Sequence, residues 1–169
     1  VKTLVIKVET LAGIMRPELI LDQQHQVRAV KVDMGEPRLL PQDIPVLMPG
    51  ERVIARPLNV DDKIFLVNAL SMGNPHCVIF VSDVSDIPVR TLGPVIENHS
   101  AFPLKTNVEF AEIINREEIK MRVWERGAGE TMACGTGACA VAVASVLNNK
   151  TDREITVHLN GGDLTLFWA

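Results

Sequence analysis

Cysteine is scarce, histidine is scattered and tyrosine is missing altogether. Three cysteines, an odd number with no Cys-x-x-Cys pair, exclude a disulfide scaffold and point to reduced thiols. The four histidines, His25, His76, His99 and His158, include no two at i, i+3 or i, i+4, so the spacing of a zinc site is absent. Basic residues are not in surplus: 17 Lys and Arg against 21 Asp and Glu give a formal charge of −4, which argues against a nucleic-acid partner. The longest unbroken run of small apolar residues, 138–144, is too short to cross a bilayer. The opening Val1-Lys2-Thr3 carries no basic stretch followed by an apolar core, and a cytoplasmic protein without a membrane partner is expected. Both common nucleotide loops fail as well. No lysine follows a glycine, as a P-loop requires, and Met132 stands where a dinucleotide fingerprint would place its third glycine.

What is present is a series of short apolar segments. Leu4, Ile6 and Val8 alternate with Val5, Lys7 and Glu9 and predict an opening strand, closed by a turn at Leu11-Ala12-Gly13. Residues 27–34 predict another. Prolines at 37, 41, 45 and 49 forbid a regular helix or central strand, so 36–50 reads as a surface loop. Residues 64–70 and 77–81 predict paired, well-buried strands joined by a polar turn. Asp86 and Pro88 start a helix with Val89, Leu92 and Ile96 on one face, ending near Asn98-His99-Ser100. Residues 108–113 and 119–125 predict two strands; in the second, Ile119, Met121 and Val123 face one way and Lys120 and Arg122 the other. A glycine-rich stretch, 127–137, then runs into 138–147. That segment is apolar on every side, so it must be a helix buried all round, capped by Asn148-Asn149. A hairpin over 155–168 closes the chain around Asn160-Gly161-Gly162-Asp163. Many short strands with two helices, and no regular βαβ alternation, predict a single α+β domain over 1–169. Its mixed, mainly antiparallel sheet curls around one buried central helix.

Cys134 is the most informative residue. It precedes the buried helix among glycines, where unpaired N–H groups and the helix dipole favour a thiolate. The same N–H groups, with Gly135 and Gly137 allowing close approach, suit a carboxylate or phosphate. A buried structural cysteine in a glycine turn is an equally weighted alternative. Cys77 and Cys139 read as packing residues. The turn Gly73-Asn74-Pro75-His76 is explained by turn chemistry alone, yet the Asn74 amide offers a donor and an acceptor and His76 could orient a carboxylate. Asn107 reads as a strand-end residue. Glu125-Arg126 reads as an exposed ion pair, or as partners for an ammonium and a carboxylate.

Four motifs in this order, Gly73-Asn74-Pro75-His76, Thr106-Asn107-Val108-Glu109-Phe110, Trp124-Glu125-Arg126-Gly127 and Ala133-Cys134-Gly135-Thr136-Gly137, with the closing Gly161-Gly162-Asp163-Leu164, resemble the second half of diaminopimelate epimerase. The resemblance implies a fold like that of proline racemase and the phenazine-pathway isomerases. It implies interconversion of LL- and meso-diaminopimelate on the route to lysine and peptidoglycan, without pyridoxal phosphate or metal. Two cysteines would act on opposite faces of the α-carbon. Cys134 matches the second of them, and Gly135 and Thr136 match the residues whose backbone holds the α-carboxylate. Asn74, Asn107, Glu125 and Arg126 match substrate contacts; His76 and Glu125 match residues that support proton transfer. The first cysteine belongs to a Cys-Gly-Asn-Gly motif that these 169 residues lack. The chain is therefore expected to be a C-terminal half, inactive alone, whose partners are a small substrate, the other half of the enzyme and a second copy in a homodimer. A related proline racemase-like enzyme, a cysteine hydrolase with His76 as base, and a non-catalytic binding or assembly domain are the alternatives.

Overall fold

The computed structural model describes residues 3–10 and 13–169. The chain parts into two compact units, Val1–Gly35 and Glu36–Ala169. The sequence reading drew no boundary at Gly35, which has a φ of +76° and precedes the proline-spaced loop.

In the first unit, β1 (Thr3–Val5), β4 (Glu18–Leu21) and β5 (Val27–Lys31) form one antiparallel sheet, and β2 (Val8–Thr10) pairs with β3 (Gly13–Met15). The expected continuous strand at 4–9 is thus divided. Val5 lies opposite Glu18 and Val8 opposite Met15, so both pairings keep one register. The break falls opposite Pro17, which has no N–H to give the ladder but accepts from the Ile6 N–H at 3.1 Å. Leu11 and Ala12 of the expected turn lie outside the described residues.

The second unit holds an eight-stranded sheet. Its strands are β6 (Val53–Val60), β7 (Lys63–Ser71), β8 (Pro75–Val81), β9 (Asn107–Ile113), β10 (Glu118–Glu125), β11 (Gly129–Thr131), β12 (Glu154–Leu159) and β13 (Gly162–Phe167). The order is β13-β12-β10-β9-β8-β7-β6, with β11 added to β10. β8 with β9 and β10 with β12 pair in parallel and the other pairs are antiparallel, so the sheet is mixed and mainly antiparallel. The strand β6 carries Pro57 and a register shift between Val53 and Arg56, features that suit its place at the sheet edge and hide it from periodicity. Strands β7 and β8 pair as expected, but Ile64 and Leu66 are exposed; burial begins at Val67.

Two α-helices, α1 (Val89–Glu97) and α2 (Gly135–Leu147), and a short 3-10 turn at Pro41–Asp43 complete the unit. Every residue from Gly137 to Ser145 is buried. α2 packs on β7, β8 and β9 and also on β12 and β13. These strands lie toward opposite ends of the sheet order, so the sheet must curve around the helix. α2 shares a core with Val78, Ala111, Ile119, Met121 and Val123. A second core joins Val89 and Ile96 of α1 to Val108, Phe110 and residues of the 36–50 loop such as Ile44. α1 starts after Pro88 rather than on a side-chain cap from Asp86, and continues through Pro94.

Glu130 on β11 ties these layers together. It accepts from Arg122 Nε at 3.0 Å and Nη2 at 2.6 Å, and from Arg90 Nε of α1 at 2.9 Å. Burial of the carboxylate opposes its ionisation, but hydrogen bonds and charge from Arg122 and Arg90 outweigh that and hold it below the usual carboxylate range. A depressed folded value means stability that is present above the unfolded titration and lost as pH falls through the folded one. Glu130→Gln should therefore destabilise the fold by about 1.5 kcal/mol at pH 7. In urea melts the difference from the parent should shrink as pH falls through and below the usual carboxylate range; a constant difference across pH would contradict this account.

Candidate functional site

The site residues gather at one end of the curved sheet. Because β8 and β9 run parallel, His76 and Asn107 are register partners at the starts of adjacent strands. β10 runs the opposite way, with Trp124 opposite Val108, so Glu125 and Arg126 emerge beside Asn107. Cys134 is the N-cap of α2, in extended backbone, and Gly137 N–H donates to its Sγ at 3.4 Å. The helix begins at Gly135, three residues before the expected start, which puts the sulfur directly on its first turn. Helix geometry leaves the N–H groups of Gly135 and Thr136 without intrahelical acceptors, open to an anion.

A polar series connects these elements. Cys134 Sγ is 3.5 Å from the Thr136 hydroxyl, which lies 3.4 Å from Asn74 Nδ2. Asn74 Oδ1 is 3.0 Å from His76 Nε2, and His76 Nδ1 is 2.7 Å from Glu109 Oε1. His76 and Glu109 are both fully buried. Glu125 accepts a short hydrogen bond from the Thr131 hydroxyl of the neighbouring β11. Asn107 is engaged as a clamp: its Oδ1 accepts from Arg126 N–H and its Nδ2 donates to the Pro75 carbonyl, both at 2.9 Å. The Arg126 guanidinium donates to the Leu104 carbonyl at 3.0 Å. The structure thus links Cys134, Thr136, Asn74 and His76 directly, and holds Asn107, Glu125 and Arg126 on the adjoining strand ends.

The expected thiolate at Cys134 is not what the surroundings favour. The residue is only 7% exposed. Burial pushes its thiol up, hydrogen bonds from Thr136 and the Gly137 N–H oppose this, and the Glu109 and Glu125 carboxylates add to the rise. The net direction is upward, so the resting sulfur is a thiol near neutral pH. Desolvation is a tertiary quantity, and the helix-end argument alone missed it. Cys77 and Cys139 lie buried as packing residues; burial raises both, Cys139 to about 11.

Sequence reasoning missed two participants. Thr136 was read for its backbone only, and its hydroxyl joins Cys134 to Asn74. Glu109 sits on the β9 face opposite that of Val108 and Phe110, so the one available signal was a carboxylate on an inward face of an apolar strand. Among the described residues, no group of three His, Cys, Asp or Glu side chains is placed to hold a metal ion, and no helix is long and apolar enough to cross a membrane.

The architecture defines a class. A solved hydroxyproline epimerase from Agrobacterium vitis, with bound trans-4-hydroxy-L-proline, matches 96% of this chain and 50% of its own at a TM-score of 0.70 and 12% identity, which gives the fold as that of the proline racemase type. The chain belongs to the diaminopimelate epimerase family, whose family model matches residues 68–169. The diaminopimelate epimerases of Pelotomaculum thermopropionicum and Heliobacterium modesticaldum are 59% and 57% identical to it over 163 residues. Each match covers 96% of this chain and 58% of the relative, so the chain spans a little over half the length of the curated relatives it matches.

Proposed function

We propose that this chain is the Cys134-bearing part of an epimerase that interconverts LL- and meso-diaminopimelate by proton transfer at the α-carbon, without pyridoxal phosphate. The observation that carries the reading is the Cys134 sulfur at the N-cap of a buried helix, beside two free N–H groups and in line with Thr136, Asn74 and His76. An amino-acid α-proton is very weakly acidic, so the site must stabilise the negative charge that develops as it leaves. The Gly135 and Thr136 N–H groups suit an α-carboxylate, into which that charge delocalises. A thiolate outside these 169 residues takes the α-proton from one face, breaking the C–H bond. Cys134, favoured as a thiol, gives its S–H proton to the opposite face and becomes the thiolate. In the reverse direction the two sulfurs exchange roles. Glu125 and Arg126 would meet the substrate's charged groups. The isolated chain, with one of the two reacting sulfurs, would bind but not turn over, and the reaction would take place in the cytoplasm.

The hydrolase reading has less support, since both His76 nitrogens are engaged, by Glu109 and Asn74, rather than by Cys134. The test is the enzyme extended to its relatives' full length, incubated with LL-diaminopimelate in D2O. Meso-diaminopimelate carrying α-deuterium is expected. No exchange, with a stoichiometric acyl adduct on Cys134, would transfer the site to the hydrolases.

A further inference from the structure

Glu109 stands in the 106–110 motif with no role yet assigned. Its side chain is fully buried, and Oε2 has no hydrogen-bond partner in the protein. A buried carboxylate oxygen left unpaired is costly, because its desolvation goes uncompensated. Packing alone would favour an apolar residue here. The carboxylate's one partner is His76 Nδ1, at 2.7 Å. Both His76 nitrogens face oxygens, Glu109 Oε1 and Asn74 Oδ1, and only a ring carrying both protons donates to both. Onward from the ring, Asn74 Nδ2 donates to the Thr136 oxygen and the Thr136 hydroxyl to Cys134 Sγ. Every donor then points toward the sulfur, which eases its ionisation against the burial that raises it.

Rotating the Asn74 amide by 180° reverses the series. Its N–H then donates to a neutral His76 Nε2, its oxygen accepts the Thr136 hydroxyl, and the Thr136 oxygen accepts from the Cys134 thiol. No proton crosses the amide; only the direction of the hydrogen bonds changes. Gly137 keeps the carboxylate and the sulfur next to each other, because a Cβ there would stand 2.9 Å from Glu109 Oε1 and 3.2 Å from Cys134 Sγ.

We propose that Glu109 is the positioning residue of this site: its carboxylate fixes the His76 ring, and the Asn74 amide and Thr136 hydroxyl couple that ring's protonation to Cys134. The proposal rests on reading Cys134 as the proton-transferring sulfur. The other titratable groups facing the pair are Cys77 beside Glu109 on β8, and Glu125 on β10 and Cys139 on α2 beside Cys134.

The sign of one substitution separates coupling from simple proximity. Through space, the Glu109 charge raises the Cys134 thiol, so Glu109→Gln would by proximity alone ease its ionisation. Coupling predicts the opposite. Alkylation of Cys134 by iodoacetamide, resolved by mass spectrometry across pH, should show a midpoint about one unit higher in Glu109→Gln, a roughly tenfold slower reaction at a fixed pH below it. An unchanged or lowered midpoint overturns the proposal. A second measurement stands if that variant does not fold. Asn74→Ala cuts the His76 ring off from Thr136 while leaving the Glu109 charge in place, so it should raise the same Cys134 alkylation midpoint, and an unmoved midpoint overturns the proposal. Neither readout needs turnover. If both succeed while the full-length enzyme exchanges no α-deuterium, the epimerase reading fails and the coupling stands.

Discussion

Cys134→Ser is expected to lower epimerisation by the full-length enzyme roughly 10³-fold while leaving the fold intact. The two halves of this outcome have separate causes. Serine is among the preferred N-cap residues, and its hydroxyl can accept from the Gly137 N–H that the sulfur accepts from at 3.4 Å. Helix α2 should therefore be at least as stable as in the parent. The hydroxyl is far less acidic than a thiol, and proton delivery at neutral pH falls accordingly. The helix start and the proposed chemistry share one atom, and replacement by serine separates them. Steady-state rates with LL-diaminopimelate, set beside urea melts, give both readouts. Retained turnover would remove Cys134 from the reaction. Lost turnover together with lost stability would show that the cysteine is needed for the fold instead.

Gly93→Ala should produce the largest loss of stability from a single methyl group. A Cβ on Gly93 would lie 2.5 Å from Trp124 Cγ and 2.6 Å from Trp124 Cβ. These atoms are the root of a side chain whose indole N–H donates to Glu97 Oε2 at 2.7 Å, one helical turn further along α1. The ring cannot swing aside without breaking that bond. Alanine is the better helix former by about 1 kcal/mol, but overpacking a buried contact of this kind costs about 3 kcal/mol, so the net effect is destabilising. The loss extends toward the site, because Glu97 Oε1 also accepts from the Gly127 N–H at 3.2 Å and so steadies the turn that follows Glu125 and Arg126. Chemical denaturation checks the first effect. A variant as stable as the parent would show that α1 can move off the indole at little cost.

Much of this architecture was readable in the residues, for reasons that differ between elements. The apolar run after Cys134 had no polar side, and only a helix surrounded by protein accommodates that; α2 is such a helix. Ile119, Met121 and Val123 alternate with Lys120 and Arg122, and β10 buries the first set. Proline obscured the rest. Pro17 separates the β1–β4 pairing from the β2–β3 pairing, and Pro57 lies inside β6, where an edge position tolerates it. The short β11 was hidden within glycines that read as loop. At the site, the four motifs pointed to the residues now linked around Cys134. What they could not convey was burial. The upward push on the thiol and the enclosure of Glu109 depend on which faces meet, and local spacing carries no trace of that.

The two parallel pairings carry a consequence for how the chain acquires its structure. Strands running the same way cannot be joined by a tight turn. The link from β8 to β9 is made over α1, and that from β10 to β12 over α2. Asn74 and Thr136, 62 residues apart, can meet only after such excursions have closed. Topologies of this kind reach the native state slowly, since loop-closure entropy is spent before distant pairings return it. The sulfur's surroundings should accordingly be among the last features to mature, and the reactivity of Cys134 would report on completion of folding in a way that strand content cannot.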